Sequence, residues 1–167
     1  MKMTAKTIWL VLLSMMITAL SINDSAAQPK KRLATRKYLI KTTLVIFAAK
    51  KELKQGGVFT GDFSRAVAHQ RYAIKLFNKK DFQKAFFHSH LARAFAFKSI
   101  KANNEPVWAE WENTQEEDDF LKDQELPSDD DLIRELEQEL PDFYFDDASL
   151  LEESLEDLDI EDIIDEN

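Results

Sequence analysis

Between residues 31 and 102 apolar positions recur at helical intervals in three successive stretches. In the first, over 31–55, Leu33, Ile40, Leu44 and Phe47 are spaced by 7, 4 and 3 positions and share one side of a helix with Ala48, and Gly56-Gly57 end it. Thr42 to Phe47 would also suit a short strand, but Ala48 to Gln55 continues in strong helix formers and no second strand follows to pair with it, so a helix is expected. The second stretch begins at Asp62, read as an N-cap, and runs to about Phe77 or Asn78. It has Phe63, Ala66, Val67, Ala73, Ile74 and Phe77 on one narrow face, while Arg65, His69, Arg71 and Lys75 point elsewhere. A turn, Asn78-Lys79-Lys80-Asp81, leads to a third helix capped by Asp81 and continuing to about Ala102. Its Phe82, Ala85, Phe86, Ser89, Ala92, Ala96, Phe97 and Ile100 form one broad face, with Phe87, Leu91, Ala94 and Phe95 roughly opposite. A helix apolar on two sides is expected to be covered on two sides.

The pattern changes past Asn104. Residues 105–127 hold Trp108, Trp111 and Phe120 among acids and amides, without a sustained helical period. Ser128-Asp129-Asp130-Asp131 then supplies a capping pattern for an amphipathic helix with Leu132, Ile133, Leu136 and Leu140, ended by Pro141. After Phe143-Tyr144-Phe145, a stretch starting at Asp147 carries Leu150, Leu151, Leu155, Leu158, Ile160, Ile163 and Ile164. Isolated helices this short are marginal, so they are expected to form mainly where their apolar sides have a surface to cover. The fold class expected is all-α: a small three-helix bundle or helical hairpin domain, followed by an acidic, partly helical or disordered C-terminal tail.

Ahead of this body, Lys2 and Lys6 precede an apolar run from Ile8 to Leu20, and Ser25-Ala26-Ala27 places small residues at a cleavage site. These are the parts of a secretory signal peptide in their proper order. The run of 13 residues is short of the roughly 20 needed to span a bilayer, and no cysteine follows it to carry a lipid. Export is therefore expected, periplasmic or secreted after cleavage near Ala27, with residues 1–27 as signal peptide, 28–104 as a basic helical domain and 105–167 as an acidic tail.

Charge sharpens that division. The net −9 of the whole chain conceals 18 Lys/Arg against three acids over 28–104, a net of +15, and two basic residues against 27 acids over 105–167, a net of −25. Tethered opposite charges meet at roughly millimolar effective concentration, so the tail is expected to contact the body. It could act only as a solubilising segment, or it could occupy a binding surface and yield it to another partner.

Ala73, Leu76, Phe82, Ala85 and Ala92, together with the turn 78–81, have the spacing of the small, large and aromatic positions of a tetratricopeptide repeat, and about 34 residues resemble one such helical hairpin. His69 stands where that family usually has Trp, Phe97 where it usually has the terminating Pro, and no second copy follows at the same period. The resemblance implies an antiparallel helix pair.

The absence of cysteine removes disulfide scaffolds, thiolate metal sites and cysteine nucleophiles. His88 and His90 diverge on a helix, and His69 could add one ligand at most, so neither a metal nor another cofactor is expected. Asp157, Asp159, Glu161 and Asp162 resemble part of a calcium loop but lack its glycine. No catalytic constellation is apparent, and the chain reads as non-enzymatic. Arg93, central on the third helix's main apolar face, must either snorkel its head to water or find a carboxylate, and the body offers only Glu52, Asp62 and Asp81. The candidate interaction residues are Phe87, Leu91, Arg93 and Phe95 on the body and Leu132, Leu136, Leu151, Leu155 and Leu158 on the tail, whose leucines would insert against the Phe87, Leu91 and Phe95 side. The expected function is an interaction or adaptor module for an unknown protein partner, its basic body masked by the tail. The alternative is a binder of anionic surfaces, lipid head groups or acidic polysaccharide. Export and the covering tail argue against nucleic acid.

Overall fold

A computed structural model describes the backbone of residues 5–103, 109–122, 124–141 and 146–158, with side chains from Pro29 onward within those ranges. All regular secondary structure among the described residues is helical: α1 (Ala5–Lys54), α2 (Asp62–Asn78), α3 (Phe82–Ala102), α4 (Gln115–Lys122), α5 (Asp129–Glu139) and α6 (Asp147–Glu152), with single 3-10 turns at Ala109–Trp111 and Glu156–Leu158. No helix among the described residues is long and apolar enough to cross a membrane.

The α2–α3 pair is tight because the connection is minimal. The Lys79, Lys80 and Asp81 amides bond back to the carbonyls of Lys75, Phe77 and Leu76, and the Asp81 carboxylate then caps α3 by accepting from the Lys84 amide at 3.2 Å. α1 lies parallel to α3 in constant register. Thr35 Oγ1 donates to the Phe82 carbonyl, and Ser89 Oγ donates to Thr42 Oγ1, each pair 47 residues apart in sequence. Gln70 of α2 reaches across to the Leu39 carbonyl and Thr43 Oγ1 of α1. The N-terminal body is thus three mutually packed helices held by apolar contact and by hydroxyl and amide bridges across the seams.

Two faces differ from the sequence expectation. On α1, Leu33 and Leu44 are 52% and 56% exposed and Phe47 is also exposed, while Thr35, Tyr38, Leu39, Thr42, Thr43, Val45, Ile46, Ala49 and Leu53 are buried. Buried polar groups on the other helices cause this rotation. Gln70, Ser89 and Arg93 all need partners within the core, and only the threonine side of α1 supplies them. α2 in turn is buried over most of its circumference, including His69 and Gln70, because α1, α3 and the acidic helices surround it.

α4 is a further departure, a helix in a region without apolar period. It is nucleated by a capping box: Glu117 N bonds Thr114 Oγ1 and the Glu117 carboxylate accepts from Thr114 N at 2.7 Å. Only Leu121 is fully buried on it, so hydrophobic periodicity had almost nothing to register. Ser128 caps α5 by accepting from Asp131 N at 3.2 Å. The stretch starting at Asp147 is broken into α6 and a 3-10 turn, while Phe143 to Phe145 and Ile160, Ile163 and Ile164 lie outside the described residues.

Candidate functional site

Arg93 is 1% exposed, so it does not snorkel. Its guanidinium carbon sits 3.6 Å from the centroid of the Tyr38 ring, and its donors reach Thr42 Oγ1 and the Tyr38 carbonyl at 3.1 Å each and Asn113 Oδ1 at 3.2 Å. The Glu117 carboxylate of α4 faces it at 3.4 Å and also takes Lys41 Nζ at 3.1 Å. Burial pushes the Glu117 carboxyl up, but the Thr114 amide, Arg93 and Lys41 outweigh it and hold it below the usual carboxylate range. Lys41 Nζ also donates to the Glu112 carbonyl, the Tyr38 hydroxyl donates to Asn113 Oδ1 at 3.1 Å, and His90 Nδ1 lies 2.9 Å from the Tyr38 hydroxyl oxygen. Phe120 of α4 closes the cluster against Phe86, ring centroids 4.6 Å apart. Geometry of this kind fixes two elements against each other.

A second cluster lies beneath α5. Glu135 accepts from Tyr72 OH at 3.1 Å and Lys84 Nζ at 2.9 Å, and Glu139 pairs with the exposed Lys75. Behind them, His69 Nδ1 and His88 Nδ1 are 3.0 Å apart, one neutral ring donating to the other, and His69 also stacks on Phe95. His88 Nε2 is buried without a hydrogen-bond partner, 3.9 Å from Glu135 Oε2. Burial pushes His69 down to about 3, with His88 and Arg65 adding to the effect. Burial pushes His88 down to about 4: Glu135 and Asp81 oppose it and Lys84 reinforces it. An unfolded imidazole protonates near 6.5, so between that pH and 4 the unfolded chain binds more protons than the folded one. Stability is therefore complete above pH 6.5 and lost as pH falls, with an expected cost of about 2 kcal/mol per imidazole by pH 5, before most carboxylates titrate. Urea denaturation at pH 7, 6 and 5 reads this directly. Equal midpoints at all three would mean that the imidazoles are not buried neutral.

The third contact joins α6 to α2. The N-terminus of α2 has no cap of its own: Gly61 holds the N-cap position at φ +79°, and Asp62, expected as the cap, is the first helical residue. The buried Asp147 carboxylate fills the role from a distance, accepting from the amides of Thr60 at 3.0 Å, Gly61 at 2.7 Å and Ser64 at 2.7 Å. Next to it Arg71 holds Glu153 and Asp157 at 2.6 Å each, Lys50 donates to the Glu153 carbonyl, and Thr43 Oγ1 donates to the Leu158 carbonyl at 3.0 Å.

All nine candidate residues are buried, but not as one surface. Arg93 faces α1 and α4, whereas Phe87, Leu91 and Phe95 occupy the other side of α3, the side that carries Lys84 and His88. Leu132 and Leu136 are the buried residues of α5, which packs on α2 and α3. Leu151 belongs to α6 and Leu158 to the 3-10 turn, with Leu155 between them, and these two elements pack mainly on α1 and α2. Sequence reasoning missed Glu117, Glu135 and Asp147. The capping box Thr114-Gln115-Glu116-Glu117 was a usable signal for the first; no local pattern marks the other two. Asp157 of the calcium-loop-like run pairs with Arg71, and the rest of that run lies outside the described residues. Among the described residues no group of three His, Asp or Glu is placed to hold a metal ion. No protein-family model matches the chain, and neither curated proteins nor solved structures include one similar to it.

Proposed function

We propose that the chain is an exported, non-enzymatic interaction module, a basic three-helix body whose protein-binding surface is held closed by its own acidic C-terminal region. The observation that carries this reading is the way carboxylates of the acidic region meet specific receptors on the body. Glu117 meets Arg93, Glu135 meets Tyr72 and Lys84, and Asp147 meets the α2 amides. A solvating tail has no use for such matching, since exposed charge of the right sign suffices for solubility. The order of basic, apolar and small residues before Gln28 supports export. Pro29 fits the same reading. Inside the 50-residue α1 it forfeits a backbone hydrogen bond, but after cleavage behind Ala27 it falls in the first helical turn, where that bond is never made.

In vivo cross-linking in the native host tests both parts. The wild-type chain should be recovered outside the cytoplasm beginning at Gln28. A Glu117→Gln/Asp147→Asn variant, with its closure loosened, should cross-link a defined partner protein several-fold more than wild type does. Equal recovery from the two would remove masking. Gain of binding to phosphatidylserine vesicles in place of a protein would transfer the ligand to the anionic-surface class.

A further inference from the structure

The three acidic helices are held to the body by different means, and the difference singles out one of them. α4 is pinned by the Arg93–Glu117 pair and by Phe120 on Phe86, and α6 by the buried Asp147 and by Leu150 and Leu151, with Leu155 and Leu158 just beyond. α5, between them, fully buries Leu132 and Leu136 and packs Ile133 partly against the core, with no buried charge to anchor it. Its ionic contacts run to Lys75 and Lys84, whose side chains are largely in solvent, so these contacts weaken with salt. An 11-residue helix has little stability of its own, so α5 exists as a helix chiefly while it is docked.

The surface beneath it is equipped to read a carboxylate. Tyr72 OH and Lys84 Nζ converge on Glu135, and the wholly buried His88 offers Nε2, which has no hydrogen-bond partner, on the same side. We infer that α5 is an exchangeable latch over a helix-binding groove between α2 and α3. The natural occupant from outside is an acidic amphipathic helix of another protein with leucines at i and i+4 and carboxylates at i+3 and i+7, the arrangement of Leu132, Leu136, Glu135 and Glu139 in α5. The two leucines would fill the apolar part of the groove, the first carboxylate would take the Tyr72, Lys84 and His88 position, and the second would take Lys75. This inference rests on reading the acidic region as a mask, and it identifies which part of the mask opens.

The probe is a fluorescein-labelled peptide of residues 128–141, added to the full chain and followed by anisotropy. Tethered α5 competes with the peptide at roughly millimolar effective concentration, so wild type should bind weakly. A Leu132→Ser/Leu136→Ser chain should bind about tenfold or more tightly, because its own latch no longer competes. The same two substitutions in the peptide should abolish binding, and Glu135→Gln in the peptide should weaken it several-fold. Circular dichroism confirms that the loosened chain is folded, and a Glu135→Gln/Glu139→Gln chain, which keeps both leucines, gives a second test with the same expected direction. Equal affinity of wild-type and loosened chains, or no binding to either loosened chain, would overturn the latch. The masking reading would survive that result if the Glu117→Gln/Asp147→Asn chain still gained its partner, so the two proposals fail separately.

Discussion

Replacing Arg93 by alanine is expected to lower the unfolding free energy of the full chain by about 3–5 kcal/mol, the cost of breaking a buried ion pair by removing one member. The substitution strips a partner from Thr42 Oγ1, from the Tyr38 carbonyl and from the Glu117 carboxylate in one step. Lys41 remains on Glu117 and prevents complete isolation of that charge. A charge left unpaired in a buried site is worse than no charge at all, so Arg93→Met/Glu117→Gln should be more stable than the sum of its two single changes. Urea unfolding of wild type, Arg93→Met, Glu117→Gln and the double variant measures the coupling, urea unfolding of Arg93→Ala measures the loss, and amide exchange over 115–122 should quicken in Arg93→Ala even where the other helices stay protected. A loss below about 1 kcal/mol would show that Arg93 is hydrated in solution and that α4 is not seated on it.

Why Arg93 was legible and its partner was not follows from the range of the signals. A charge at the centre of an otherwise apolar helix face is visible in the residues of α3 alone. Its carboxylate is 24 residues further on, across a region without apolar period, and 27 acids compete for the role. The succession of three helices was legible because each carries an apolar period and breakers separate them, as at the glycines after Lys54 and at Asp81, which caps α3 through Lys84 N, although α1 begins at Ala5 and not near residue 31. The orientation of α1 was not. Its most apolar face, with Leu33, Leu44 and Phe47, lost to the one carrying Thr35, Thr42 and Thr43, because burying Gln70, Ser89 and Arg93 demands hydroxyl and carbonyl partners. That demand belongs to the assembled core and has no trace in α1 alone. The capping of α2 was misplaced for the same reason. Asp62 was the local candidate, but the amides at 60, 61 and 64 are satisfied by Asp147, more than 80 positions away.

Phe86→Ala carries the other large effect, about 3–5 kcal/mol for a buried phenylalanine truncated to a methyl group. Phe86 is buried where three elements meet. Its ring centroid is 4.2 Å from that of Tyr38 on α1 and 4.6 Å from that of Phe120 on α4, while α3 itself supplies the backbone. Removal of the ring leaves a void that α1 and α3 are unable to close, because their register is fixed by the Thr35–Phe82 and Thr42–Ser89 bonds on either side of it. α4 is the wall that adjusts most readily once the ring is gone, being short and having lost the Phe86–Phe120 contact that helps to pin it. Phe120→Ala alone should cost less, since its ring is only partly buried. The pair should couple by about 0.5–1.5 kcal/mol, as expected for aromatic rings in contact. The coupling decides where α4 sits in solution. If α4 were undocked, Phe86→Ala would still destabilise the body through Tyr38, but Phe120→Ala would be silent and the double variant strictly additive.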